Sequence, residues 1–147
     1  MRKRFVAKVI ENLSNIINNQ NGHTLLLQMM EKWDFETCKP MIVEIYKDIS
    51  KFSFLKYSSI VVKRCVEISE QKIIKTLCNC ILKGERVYDF VSYDSGKIIL
   101  KEIFEKLPLQ KKNKFYCCIR NSLKSIFEKN GNLNAIPSID FLNEFKN

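Results

Sequence analysis

The sequence predicts an all-α fold, an α-solenoid of about three three-helix repeats with flanking capping helices. A related stretch of eleven residues occurs three times, at residues 21–31, 57–67 and 95–105, with offsets of 36 and 38 positions. Its apolar residues recur at helical spacing, and a period of this length is the signature of a solenoid built from one repeated unit. The 147-residue chain has four glycines and three prolines, too few for the many turns of an all-β fold.

The central stretch of each repeat begins at a small residue, which is Gly22, Ser58 or Gly96. Counted from that residue, the fourth, fifth, eighth and ninth places are apolar and the tenth place is glutamate. This spacing puts the apolar side chains on one face of a helix. We interpret the glutamates as residues that cap or pair locally. The stripes are Leu25, Leu26, Met29 and Met30, then Val61, Val62, Cys65 and Val66, then Ile99, Leu100, Ile103 and Phe104, and the glutamates are Glu31, Glu67 and Glu105.

Two further apolar patterns flank each central stretch and predict a short helix before it and a third helix after it. One unit of this kind cannot bury its stripes alone, so the units are expected to stack. The short helices carry Leu13 and Ile16, Ile49 and Phe52, and Val87 and Phe90. The third helices carry Met41, Ile42 and Ile45, then Leu77, Cys78 and Ile81, then Phe115, Tyr116 and Ile119.

The chain divides in this order into a single repeat domain. Residues 1–11 are predicted to form an N-terminal cap, residues 12–48, 49–85 and 86–130 the three repeats, and residues 131–147 a C-terminal tail that packs back as a short helix. Residues 33–36 are predicted as a loop, with Pro40 near the start of the third helix and residues 69–70 as an N-cap region. The last helix, about residues 109–129, is predicted to be longer than its counterparts and to end at Gly131.

Composition argues against several classes of function. His23 is the sole histidine and the cysteines lack CxxC spacing, so neither a zinc site nor histidine-based catalysis is predicted. We expect no cofactor and no enzymatic activity. Cys65 and Cys78 fall on apolar repeat positions and are interpreted as core thiols that stay reduced in an intracellular protein, cytoplasmic or nucleolar. No apolar run is long enough to span a membrane.

The central stretch at residues 58–67, Ser-Ser-Ile-Val-Val-Lys-Arg-Cys-Val-Glu, resembles the central helix of the Pumilio (PUF) repeat family. The likeness covers residues 12 to about 130, although that family's usual domain has eight repeats. It implies a right-handed solenoid whose central helices face RNA, with the second, third and sixth places of each stretch meeting the bases. The RNA-binding residues that it implies are His23, Thr24 and Leu27, then Ser59, Ile60 and Lys63, then Lys97, Ile98 and Lys101, to which the neighbouring charge adds Arg64.

These residue types predict RNA binding with weak or no base specificity. Leu27 cannot hydrogen-bond a base edge, Ile60 and Ile98 offer no π face for stacking, and Lys63 and Lys101 act as point charges. The formal net charge of +9 and the pI of about 9.3 are typical of nucleic-acid binders. The expected partner is therefore RNA, ribosomal or messenger, gripped through its phosphates on a lysine-bearing inner helix face.

A second hypothesis is a protein-interaction scaffold of a ribonucleoprotein complex whose RNA-reading face has decayed, with ribosomal or ribonucleoprotein proteins as partners. The two hypotheses share the same fold and differ in which surface is used. His23 is compatible with a base contact or with a plain exposed polar role. Trp33 and Phe35 are compatible with an exposed partner anchor, but we favour a role in covering a seam between repeats.

Overall fold

The computed structural model describes residues 1–83, 85–131 and 136–145. Within these residues all regular structure is helical, which confirms the predicted all-α class. The helices are α1 (Arg2–Glu11), α2 (Leu13–Ile17), α3 (Gln20–Lys32), α4 (Phe35–Lys47), α5 (Ile49–Phe52), α6 (Ser58–Ile68), α7 (Gln71–Leu82), α8 (Val87–Ser92), α9 (Asp94–Lys106), α10 (Leu109–Lys129) and a C-terminal 3-10 helix (Asp140–Phe145).

The helices form two rows of neighbours. The central helices contact one another in chain order, α3 with α6 and α6 with α9, and the 3-10 helix then contacts α9. The second row runs from α1 to α4, α7 and α10, each packed against the next. The short helices α2, α5 and α8 each contact the central helix that follows them. Three successive short–central–third triplets therefore contact one another through their central helices and through their third helices, and α1 packs on α4 as α4 packs on α7.

The small residue in the first turn of each central helix marks a close approach to the short helix. A Cβ placed on Gly22 would lie 2.2 Å from the carbonyl oxygen of Ile16, and one on Gly96 would lie 2.6 Å from the Cα of Phe90. In the second triplet the buried Ser58 donates a hydrogen bond from Oγ to the carbonyl oxygen of Phe52 at 2.6 Å. In all three triplets the contact joins residue i to residue i−6, so the repeated small residue has one packing role.

The predicted apolar stripes form the core. Of the twelve stripe residues on α3, α6 and α9, eleven are buried and Leu25 is 37% exposed. The fourth place is buried on α6 and α9, which pack against α3 and α6 respectively, whereas α3 has no such neighbour on that side within the described residues. On the third helices, Cys78 is half-buried because it faces a groove between α7 and α10.

Two local predictions need correction. The loop predicted at residues 33–36 is shorter, because Asp34 caps α4 by accepting a hydrogen bond from the backbone N–H of Thr37 at 3.2 Å. Phe35 is consequently helical and Pro40 lies inside α4, beyond its first turn. The N-cap residue of α7 is Glu70, within the N-cap region predicted at residues 69–70, but no side chain caps the helix, and the buried Oγ of Ser69 instead donates to the carbonyl oxygen of Cys65 at 2.6 Å.

The ends of the chain behave largely as predicted. Helix α10 has the predicted bounds, and Gly131 follows it with a φ of 70°, a conformation that favours glycine. The tail packs back as a 3-10 helix, with Leu142 fully buried. At the other end, the Trp33 ring meets Phe5 edge-on at 5.8 Å between centroids, which agrees with the seam role that we favoured.

Candidate nucleic-acid interface

The residues implied by the resemblance lie on adjacent helices and outside the buried core. They occupy α3, α6 and α9, and their exposure repeats from one helix to the next. The second-place residues are half-buried, the third-place residues are exposed and the sixth-place residues are half-buried on all three helices. We call this surface the central-helix face, consisting of His23, Thr24, Leu27, Ser59, Ile60, Lys63, Arg64, Lys97, Ile98 and Lys101.

Two residues of the face pack on aromatic rings of the next element in the row. The His23 ring lies 4.8 Å from the Tyr57 ring, between centroids, and its Nδ1 is 3.1 Å from the carbonyl oxygen of Asn19. The Lys97 ammonium lies 5.6 Å from the centre of the Phe141 ring in the C-terminal 3-10 helix. His23 is thus held within the fold, and Lys97 stands beside the tail that packs on α9.

The cations at the middle of the face differ in their partners. Lys63 Nζ lies 3.8 Å from a carboxylate oxygen of Glu102, and Arg64 lies 2.9 Å from Glu67. Lys101, at the place equivalent to Lys63, makes no ion pair within the described residues. Lys101 is therefore the cation of this face that is most available to a phosphate, whereas Lys63 would have to leave Glu102.

Glu102 is the main residue of this surface that the sequence prediction missed. Burial raises the pKa of its carboxyl group above the ordinary value, the nearby Glu105 and Glu67 raise it further, and Lys63 opposes them. Glu102 follows Lys101 directly, Glu105 follows it by four residues, and Glu67 follows Arg64 by three residues, so the sequence itself indicates the acidic character of this surface. These carboxylates make the face less basic than its lysines alone suggest.

The net charge is unevenly distributed over the two rows. Each of α3 and α9 has as many acidic as basic side chains, and α6 has an excess of one basic side chain. Helix α10 has six basic side chains and one acidic side chain, Glu128, and α7 has two basic side chains and no acidic side chain. These two third helices thus hold an excess of seven positive charges, compared with the chain's +9. Most of the basic excess lies on the third-helix side and not on the central-helix face.

Polar side chains at the helix ends join successive triplets. Asn18 caps α6 from the preceding triplet, because its Oδ1 accepts from the backbone N–H groups of Tyr57 at 3.0 Å and Ser58 at 3.3 Å. At the other end of α6, Lys106 Nζ donates to the carbonyl oxygen of Glu67 at 2.9 Å, and Gln71 Nε2 donates to the carbonyl oxygen of Lys106. These residues are structural, and Lys106 is accordingly not free to bind a phosphate.

The described residues contain no group of three or more His, Cys, Asp or Glu side chains that could hold a metal ion. Burial raises the pKa of the Cys65 thiol far above its ordinary value, and it raises that of Cys78 to about 12. Both side chains therefore remain uncharged thiols at neutral pH. Among the helices described, none combines the length and apolar character needed to cross a membrane.

Comparison with protein-family models, with curated proteins and with solved structures finds no match. The likeness to the Pumilio repeat therefore depends on the residues of this chain alone. These are the three central stretches, whose small first residues, apolar stripes and glutamates recur at offsets of 36 and 38 positions.

Proposed function

We propose that the three helix triplets form a short right-handed α-solenoid of Pumilio-like repeats that binds RNA through the central-helix face with weak or no base specificity. The observation that supports this most strongly is the periodic surface. The implied contact residues stand at equivalent places on α3, α6 and α9, of which α6 contacts the other two, and their exposure is the same on each helix. Such a surface repeats along one direction, as successive nucleotides of a single strand do.

The chemistry of the face favours backbone contacts over base reading. Lys63 and Lys101 stand at the sixth place of neighbouring helices and are suited to two phosphates of one strand. Ile60 and Ile98, 47% and 48% exposed, offer apolar surface to bases or riboses of any sequence. Binding carried by phosphate neutralisation depends on salt and little on sequence, which suits ribosomal or other structured RNA as the target.

The experiment is a salt series of RNA binding, measured by fluorescence anisotropy with labelled oligouridine and a mixed-sequence RNA. The test variant is Lys63→Glu/Lys101→Glu, and the matched control is Lys72→Glu/Lys124→Glu, which makes the same charge change at exposed positions of α7 and α10. We expect the RNA affinity of the test variant to be at least about tenfold lower than that of the native protein. The slope of log K against log salt should become shallower by about 1.4, because two phosphate contacts are lost. A larger loss of RNA affinity in the control variant than in the test variant would place the RNA on the row of third helices and contradict the proposal.

A second candidate function is protein binding as a scaffold within a ribonucleoprotein complex. The observation that favours it is the pairing of Lys63 with Glu102 and of Arg64 with Glu67, which engages two of the four Lys and Arg side chains of the central-helix face in ion pairs. In that case the native protein and Lys63→Glu/Lys101→Glu would bind RNA equally weakly at physiological salt. Affinity capture with the native protein and with the variant would then recover the same protein partner.

A further inference from the structure

A groove runs between α7 and α10 on the third-helix side, away from the candidate RNA face. Its α7 wall consists of Gln71, Lys75, Cys78, Asn79 and Leu82, which share one face because their spacings are close to whole turns of a helix. Gln71 and Leu82 are eleven positions apart, and at about 1.5 Å per residue of an α-helix the groove is about 16 Å long. Gln71 bonds to the carbonyl oxygen of Lys106 and thereby closes one end of the groove.

The floor of the groove is apolar. Leu107 and Phe115 form it from the α10 side and are 7% and 5% exposed, and Cys118 is half-buried beside them. On the α7 side, Leu82 and Cys78 are half-buried, and the raised pKa of the Cys78 thiol keeps it uncharged. Apolar side chains of a ligand would cover this floor and remove it from water.

The rim of the groove is basic. Lys75, Lys111 and Lys114 line it and are exposed, and none of them makes an ion pair within the described residues. No lining residue is acidic. The two helices that form the walls also carry an excess of seven positive charges, compared with the chain's net charge of +9, so an acidic ligand would be attracted from a distance as well as held at the rim.

We propose that this groove binds an acidic amphipathic segment of a partner protein, with apolar side chains on the floor and carboxylates at the three lysines. The volume of about 220 Å³ is below the 300–1,000 Å³ of typical small-molecule pockets but suits a few side chains. A nucleic acid would satisfy the lysines and leave the apolar floor uncovered. An acidic segment with apolar anchors matches both the floor and the rim. The inference does not depend on RNA binding by the central-helix face.

The test is fluorescence anisotropy with a labelled acidic peptide of about twelve residues, the length that spans the groove as a helix. The peptide has leucine at one helical face and glutamate elsewhere, and a second peptide of the same charge has alanine in place of leucine. The full-length protein is compared with Lys75→Glu/Lys114→Glu and with Asn79→Trp, which fills the groove from an exposed position. The matched control, Lys3→Glu/Arg4→Glu, makes the same charge change at exposed positions of α1.

We expect the leucine peptide to bind the native chain at least about tenfold more tightly than the alanine peptide. Both groove variants should lose that affinity by about tenfold or more, and the α1 variant should keep it. Circular dichroism should show the native helix content in every variant, since all substituted positions are exposed. Absence of binding, equal binding of the two peptides, or equal loss in the α1 variant would overturn the proposal. So would an RNA that binds at the groove lysines and displaces the leucine peptide.

Discussion

The ammonium group of Lys63 lies 3.8 Å from the carboxylate of Glu102, in a contact that joins two neighbouring central helices, α6 and α9. Both side chains are partly exposed, so the pair contributes little to stability, about 0–1 kcal/mol. Its larger effect is on the surface, because it occupies a cation that a phosphate would otherwise meet.

Glu102→Gln is therefore expected to strengthen RNA binding by about two- to fivefold at moderate salt, because it releases Lys63 and removes one negative charge from the face. The measurement is anisotropy with labelled oligouridine. The matched control is Glu44→Gln on α4, whose partner Lys47 lies 2.7 Å away and off the central-helix face. Weaker RNA binding in Glu102→Gln than in the native chain would mean that phosphates do not meet Lys63.

The raised pKa of Glu102 also predicts that the stability difference between the native chain and Glu102→Gln depends on pH. Burial raises the pKa of Glu102 in the folded state, so the unfolded chain ionises this group first as the pH rises. Ionisation then costs the native protein stability that the glutamine variant keeps. We expect Glu102→Gln to melt at a higher temperature than the native chain at pH 7 and at the same temperature at about pH 3, where the glutamate is protonated in both states.

Thermal melts at the two pH values check this prediction. The opposite order at pH 7, with the variant less stable, would show that the contact with Lys63 outweighs the burial of the carboxylate. Glu44→Gln again serves as the control, since Glu44 is paired on a different helix.

Gly96→Ala is expected to destabilise the fold by about 1–3 kcal/mol, because a Cβ at this position lies 2.6 Å from the backbone of Phe90 and the short helix would have to move. Helix propensity alone predicts a gain of up to about 1 kcal/mol, so the two effects have opposite signs. Chemical denaturation measures the difference, with Ser95→Ala on the same helix as the control. A variant more stable than the native chain would refute the close approach.

Asn18→Ala is expected to cost about 1 kcal/mol, because α6 loses the side chain that caps it from the preceding triplet. In a chain of this size that corresponds to roughly 2–4 °C in melting temperature. Asn121→Ala, at an exposed position of α10, should not lower it. If both variants melt like the native chain, the contact between triplets contributes nothing measurable.

The sequence predicted the helices and the core well because both follow from periodic apolar positions. The stripe of Val61, Val62, Cys65 and Val66 is buried as predicted. Helix α10 ends just before Gly131, which adopts a left-handed conformation. The start of α4 lies earlier than the prediction places it, because Pro40 indicates a residue near the start of a helix but lies beyond the first turn of α4. The capping signal of Asp34, with Thr37 three residues later, was the better guide.

The electrostatics of the candidate site were less predictable. Lys63 and Glu102 are 39 positions apart, and only the packing of α6 on α9 brings them together. The groove beside Lys75 and Lys111 likewise exists only because α7 and α10 are neighbours. Local sequence shows which residues share a helix face, and it does not show which faces meet.

Cross-linking would test most directly the proposal that RNA lies along α3, α6 and α9. RNA containing 4-thiouridine would be irradiated with the native protein, and the linked peptides would be identified by mass spectrometry. We expect the links to fall within residues 20–32, 58–68 and 94–106, and to disappear in Lys63→Glu/Lys101→Glu. Links confined to α7 and α10, or links unchanged in that variant, would contradict RNA binding by the central-helix face.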